Sequence, residues 1–139
     1  MAQTLRDVMT ANPRTVDVDD AIIDAARLMR DEDVGALVVT EGGQVNGILT
    51  DRDIVVRAVA DDRDADQTTV GEIASRELVA LSPDDPLERA IEAMRERSVR
   101  RLPVVENGDP IGIVSLGDLA IERDSESVLA GISAAPANA

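Results

Sequence analysis

The 139-residue chain contains no cysteine, no histidine, no lysine, and no tryptophan, tyrosine or phenylalanine. Each absence removes a class of chemistry. Without Cys there is no disulfide framework, no thiolate nucleophile and no cysteine-ligated zinc or iron–sulfur site. Without His there is no Ser-His-Asp or Cys-His triad, no imidazole acid or base and no axial haem ligand. Without Lys the usual Schiff-base amine and the P-loop cation are both missing. Carboxylates, hydroxyls and fourteen arginines remain. That set favours binding or regulation over catalysis, and the chain is not expected to be an enzyme.

Positive charge is also scarce. Asp and Glu number 28 against 14 Arg, for a net charge of −14 and a pI near 4.2. Residues 1–69 hold 7 Arg and 15 acids, and residues 70–139 hold 7 and 13, so neither half is a basic counterface for the other. This balance opposes nucleic-acid binding, which depends on cations displacing phosphate counterions, and opposes adhesion to an anionic membrane. No stretch approaches the ~20 apolar residues of a membrane span, and Met1–Arg30 lacks a cationic segment followed by an apolar run. A cytoplasmic protein with neither nucleic acid nor membrane as partner is the expectation.

Apolar residues make up 44% of the chain and are almost all aliphatic. A core without aromatic rings needs many close β-branched contacts, and small units built this way tend to pair. An internal repeat organises those residues. Shifted by 65 positions, residues 5–54 align with 70–119 without a gap, and thirteen positions are identical. They include Asp19/Asp84, Ala25/Ala90, Met29/Met94, Leu37/Leu102, Gly47/Gly112, Ile48/Ile113 and Asp53/Asp118. Gly, Met and Asp rarely hold one register by chance, so the chain reads as two copies of one supersecondary unit.

Each copy starts with an extended piece, Arg14–Val18 or Leu78–Leu81, followed by an acidic helix start at Asp19-Asp20 or Asp84-Asp85. Ile22, Ala25, Ala26 and Met29 then recur at helical spacing, as do Leu87, Ala90, Ile91 and Met94. The apolar runs Ala36–Val39 and Leu102–Val105 predict strands buried on both faces. Turn residues at Glu41–Gln44 and Glu106–Asp109 lead to strands Val45–Thr50 and Pro110–Ser115. A closing helix starts at Asp51 or Leu116. The expected fold is α/β (α+β): two β-α-β-β-α repeats, residues 5–60 and 70–124, packed about a pseudo-twofold axis. Residues 61–69 read as a solvated acidic linker, and 125–139 as a partly disordered tail.

The sharpest local feature is Gly47-Ile48-Leu49-Thr50-Asp51-Arg52-Asp53, repeated as Gly112-Ile113-Val114-Ser115-Leu116-Gly117-Asp118. A strand ends in a hydroxyl residue, and a carboxylate follows three positions later in the first helical turn. Hydroxyl and helix N–H groups can hold a phosphate, and the carboxylate can accept from a ribose diol. The same spacing is that of a capping box, which ties off a helix start and does nothing more. The local pattern leaves both readings open. Asp62-x-Asp64-x-Asp66 opens like a calcium loop, but Gln67 and Ile73 stand where an EF-hand needs Gly and Glu, so weak divalent binding is the most it offers.

The repeat layout, the closing motifs and Val99-Arg100-Arg101-Leu102-Pro103-Val104-Val105 resemble a tandem cystathionine-β-synthase (CBS) domain pair, or Bateman module. Thr50–Arg57 and the tail resemble small stand-alone actinobacterial pairs of the hypoxic-response type. The resemblance implies a non-catalytic regulatory module, commonly a homodimer, that binds AMP, ADP or ATP, with or without Mg²⁺, in clefts between the sheets. No tightly bound cofactor or metal is implied. By position, Asp53 and Asp118 would take ribose hydroxyls, and Thr50 and Ser115 would reach toward phosphate. Thr15 and Val16, Ala80 and Leu81, Ala36 and Leu37, and Leu102 and Pro103 would line the adenine slots. Arg52, Arg100 and Arg101 would pair with phosphate, since a guanidinium forks well onto its oxygens. The copies differ at one place: Gly35-Ala36-Leu37-Val38 stands where the second has Arg100-Arg101-Leu102-Pro103, so the two sites are not equivalent. The alternative is a ligand-free dimeric scaffold of the same fold.

Overall fold

The computed structural model of the chain describes residues 3–75 and 79–124. In chain order the elements are α1 (Leu5–Val8), β1 (Thr10–Ala11), β2 (Thr15–Asp17), α2 (Ile22–Glu32), β3 (Ala36–Glu41), β4 (Gln44–Thr50) and α3 (Asp51–Ile54), which runs into a π-helical turn, Val55–Val59. After these come α4 (Val70–Ile73), α5 (Leu87–Arg97), β5 (Arg101–Glu106), β6 (Asp109–Ser115) and α6 (Leu116–Asp124). One sheet has the order β2-β3-β4, with β2 parallel and β4 antiparallel to β3; the other has the order β1-β6-β5. The mixed α/β class read from the repeat is the class observed.

The first copy follows the expected order, β2-α2-β3-β4-α3. In the second, the expected opening strand reduces to one bridge, Leu81 parallel to Val104, and Leu78 lies outside the described residues. Pro103 supplies a reason. At the equivalent place in the first copy, the Val38 N–H donates to the Arg14 carbonyl at 3.0 Å. Proline has no N–H, so that rung of the ladder is lost.

Helices α2 and α5 begin after the paired acids rather than on them, with Ala21 and Pro86 as N-caps. The acids serve the preceding turn instead. Asp20 Oδ2 accepts from the Asp17 N–H at 2.9 Å, and Asp85 Oδ2 accepts from the Ser82 N–H at 2.8 Å. The first N–H groups of α2 are satisfied from residues expected to be solvated linker: Ile22 donates to the Thr68 carbonyl at 2.9 Å, and Ile23 to that of Ala65 at 3.2 Å. Thr68 is buried, and its hydroxyl donates to the Asp64 carbonyl, while Asp61, Asp62, Asp64 and Asp66 stay exposed. Buried groups at a helix start need partners, and this return of the chain provides them.

The chain divides into two compact units that do not coincide with the two copies. One comprises the described residues of 13–78 with 107–110, and the other those of 1–12, 79–106 and 111–139. The copies exchange their leading segments. Leu5 of α1 is fully buried in the core that holds Leu81, Ala90, Met94, Leu102 and Val114, and β1 pairs with β6, Thr10 opposite Ile113 and Ala11 opposite Gly112. In the other unit, Val70 and Ile73 of α4 join the core of Ile22, Ala25, Leu37 and Leu49, and Ser75 bridges to Ile48. Thr10 and Ser75, and likewise Ile113 and Ile48, are equivalent positions of the two copies.

Candidate functional site

The two strand-to-helix junctions are built alike. At the end of β4, Thr50 keeps extended backbone while Asp51 begins α3. The Thr50 N–H donates to Asp53 Oδ2 at 2.9 Å, and the Asp53 N–H donates back to Thr50 Oγ1 at 3.1 Å. At the end of β6, the Ser115 N–H donates to Asp118 Oδ2 at 3.3 Å, and the Asp118 N–H donates to Ser115 Oγ at 3.1 Å. All four residues are half-buried. The capping reading of the sequence is thus realised at both junctions. It fixes each carboxylate in one orientation.

The remaining donors separate the two. In α3, Asp51 N–H reaches the Gly35 carbonyl at 3.0 Å and Arg52 N–H reaches Asp51 Oδ1 at 2.8 Å, so the first three N–H groups are all engaged. In α6, Leu116 N–H reaches the Arg100 carbonyl at 2.8 Å. The next N–H, that of exposed Gly117, makes no hydrogen bond among the described residues, and neither does Asp118 Oδ1. Asp53 Oδ1 instead faces Arg57 Nε at 4.0 Å, and Arg57 also donates to the Ile73 carbonyl at 3.1 Å. The candidate residues read from sequence omitted Arg57. Its signal was the i,i+4 spacing from Asp53.

Strand register decides which other candidates meet these junctions. Thr15 pairs with Val38 and Ala36 with Thr50, so the start of β2, the start of β3 and the end of β4 lie at one end of the sheet. Thr15 is exposed there and Ala36 half-buried, whereas Val16 and Leu37 belong to the packed core. In the other unit Leu81 and Leu102 are core residues, Pro103 is buried and Ala80 is exposed. Arg100, whose carbonyl accepts from the second junction, is exposed, and Arg101 is half-buried at the start of β5. Arg52 is exposed on α3. None of these three arginines forms an ion pair among the described residues.

Elsewhere the strong electrostatics are local. Glu72 caps α4, and the Thr69 N–H, 2.6 Å from Oε2, holds its carboxyl below the usual carboxylate range; Arg63 at 2.9 Å acts in the same direction. Arg6 is held above its ordinary value by Glu106 at 3.0 Å, with Asp84 at 3.7 Å adding to it. No group of three His, Cys, Asp or Glu among the described residues is arranged to hold a metal, and Asp64 Oδ1 accepts from the Asp66 N–H in a local turn. No helix among the described residues is long and apolar enough to cross a membrane.

Two repeats that each end a buried strand in a hydroxyl–carboxylate cap define a class, and comparison with known proteins agrees. The CBS domain family model matches residues 5–59 and 70–124, and the chain belongs to that family as a CBS-domain pair, a regulatory rather than catalytic type of module. Among curated relatives, the CBS domain-containing protein YhcV of Bacillus subtilis is 44% identical over 122 residues, covering 88% of this chain and 86% of the relative. Hypoxic response protein 1 of Mycobacterium tuberculosis is 31% identical over 132 residues, covering 94% and 92%. A solved structure of Hypoxic Response Protein I, with two coordinated zinc ions, superposes with a TM-score of 0.75 over 85% of this chain and 97% of that one, at 34% identity. The CBS-domain pair of MJ0100, solved with 5′-methylthioadenosine and S-adenosyl-L-methionine, shares the fold: TM-score 0.80, 22% identity, 91% of this chain and 100% of that one.

Proposed function

We propose that this CBS pair is a regulatory module without catalysis of its own, which takes an adenosyl nucleotide of the AMP, ADP or ATP class at its strand-to-helix junctions. The second junction is the stronger of the two. The observation that carries the reading is the pairing, at one helix start, of a donor and an acceptor that are unengaged among the described residues: the Gly117 N–H and Asp118 Oδ1. Donor and acceptor suit phosphate and ribose hydroxyl respectively, and Arg100, exposed and bonded through its carbonyl to the helix start, supplies a guanidinium for phosphate. The MJ0100 pair, a likeness of fold, was solved with adenosyl ligands. Mg²⁺ would enter only with the nucleotide phosphates.

The module is proposed to work as a homodimer in the cytoplasm. Val55, Val56 and Val59 are exposed on the π-helical turn, and Leu116 and Ile121 on α6. Exposed aliphatic groups on both closing helices fit burial against a second copy. Ligand would then act by favouring one packing of the subunits, to the extent that it binds that packing more tightly.

Isothermal titration with AMP, ADP and ATP, with and without Mg²⁺, tests the reading. Saturable micromolar binding that disappears in Asp118→Ala supports it. Absence of heat with all three overturns it and leaves the ligand-free scaffold, which the reciprocal hydrogen bonds at both junctions already favour as helix caps.

A further inference from the structure

The leading segment does not pack in the unit that the chain goes on to build. Residues 3–12 belong to the unit of the second hairpin, and the chain enters the other unit at Pro13. The segment is held there by specific bonds. The Leu5 N–H donates to the Asp85 carbonyl and the Arg6 N–H to that of Pro83, both at 3.0 Å, and Thr4 bridges to Pro86. Leu5 is fully buried, Arg6 reaches Glu106, and β1 extends the β6-β5 sheet.

The joint behind this segment is strained. Asn12 has φ +55° and precedes Pro13. Left-handed backbone is unfavourable for a residue with a side chain, though Asn bears it better than most. A residue before proline is pushed further toward extended backbone by the proline ring. The closed form thus holds Asn12 away from the conformation that both its own side chain and Pro13 prefer.

We infer that residues 3–12 are an exchangeable arm, and that two copies of this chain trade arms reciprocally about Asn12-Pro13. In the exchanged pair every docking bond above is re-formed between chains, so those bonds favour neither state. Among the local contacts the joint alone distinguishes the two, relaxing to extended backbone when the arm reaches across; that gain works against the entropy cost of pairing two chains, so exchange grows with concentration. A short strained joint behind a well-docked segment is the arrangement that promotes such exchange. It does not depend on the aliphatic residues of the closing helices.

A cross-strand disulfide reads the exchange directly, because the chain has no cysteine of its own. Thr10 and Ile113 are partners in the β1–β6 register. The Asn12 N–H donation to the Ile111 carbonyl at 3.2 Å marks them as a hydrogen-bonded pair, two rungs along. Such pairs have Cα atoms about 5.5 Å apart, within disulfide reach. The doubly substituted Thr10→Cys, Ile113→Cys protein is refolded at concentrations from about micromolar to about millimolar, oxidised, and run on a non-reducing gel. A covalent dimer whose fraction rises with concentration is the expected result. Intrachain disulfide alone at every concentration overturns the inference, whatever the nucleotide titrations give, since a dimer of closed subunits keeps this bond within one chain. Adding Asn12→Gly, which accepts positive φ freely, should lower the dimer fraction about fivefold or more. An unchanged fraction would remove the joint as its cause. If the cysteine pair prevents folding, size exclusion with light scattering on the cysteine-free parent and Asn12→Gly decides: loss of a slowly dissociating, refolding-concentration-dependent species in the variant supports the arm, and identical profiles overturn it.

Discussion

Asp53 and Thr50 hold each other in place: each backbone N–H is bonded to the other's side chain, at 3.1 and 2.9 Å. Ser115 and Asp118 repeat the arrangement in the second copy. A carboxylate fixed in this way is already oriented by its cap, so under the proposed function stability and binding would depend on the same side chain through different oxygens. Separating the two contributions requires both copies to be tested side by side.

Asp53→Ala and Asp118→Ala should each destabilise the protein by about 1 kcal/mol, the usual worth of a cap, as read by urea denaturation. Their effects on nucleotide affinity should differ. Asp118→Ala is expected to abolish binding, while Asp53→Ala leaves the second junction intact. Equal losses of affinity in the two variants would contradict the assignment of the stronger site to Asp118.

Gly112 should not tolerate a side chain. A β-carbon there would stand 2.8 Å from Met9 Cγ and 3.1 Å from Met9 Cβ, and the arm bearing Met9 would have to shift. Gly112→Ala is expected to lose about 1–3 kcal/mol, as overpacked sites do. Gly117→Ala, whose added carbon meets only Ser115 Oγ at 3.8 Å, serves as the control and should be nearly neutral. Thermal melts followed by far-ultraviolet circular dichroism distinguish the two.

Moderate salt should stabilise the fold. The net charge of −14 is spread over both halves, so screening relieves repulsion more than it weakens exposed ion pairs such as Arg6–Asp84. The melting temperature is expected to rise on adding about 150 mM NaCl. A fall would mean that the ion pairs outweigh the repulsion.

Glu72 gives stability a definite dependence on acid. Its carboxyl lies below the usual range because the Thr69 N–H favours the charged form. A depressed native pKa contributes stability that is complete above the unfolded value and lost as pH falls through the native one. Glu72→Gln keeps a capping side chain but no charge. The gap in melting temperature between parent and variant should therefore narrow from neutral pH to about pH 3. A gap constant with pH would show that the charge of Glu72 is not what matters.

The long elements were legible because their periodicity extends over several turns or rungs. Ile22, Ala25 and Met29 on α2, and Ala90 and Met94 on α5, are buried where their spacing placed them. The four-residue helices α1 and α4 span a single turn, too short for any period, although Thr4/Asp7 and Thr69/Glu72 carry the same capping pattern as the junctions. The exchange of leading segments had no local signature either, since β1 is two residues long and its partner, Gly112, lies about a hundred positions away. Thr68 misled for a related reason: a polar residue among acids reads as solvated, yet it is its carbonyl that serves α2. At the junctions, hydroxyl and carboxylate were readable from spacing. Which N–H groups stay unengaged depends on Gly35, Arg100 and Asp51, and so on the folded chain.

The exchange of leading segments also fixes where the molecule can be cut. Divided in the acidic stretch at 61–69, the first fragment loses Val70 and Ile73 from its core and Ser75 from the edge of β4, while the second loses Leu5 and the strand beside β6. A fragment begun at Pro13 and carried through Ser75 keeps its own core residues together. The natural joints for dissection, fusion or labelling lie next to Asn12 and beyond Ser75, and the boundary of the duplication is the wrong place for the scissors.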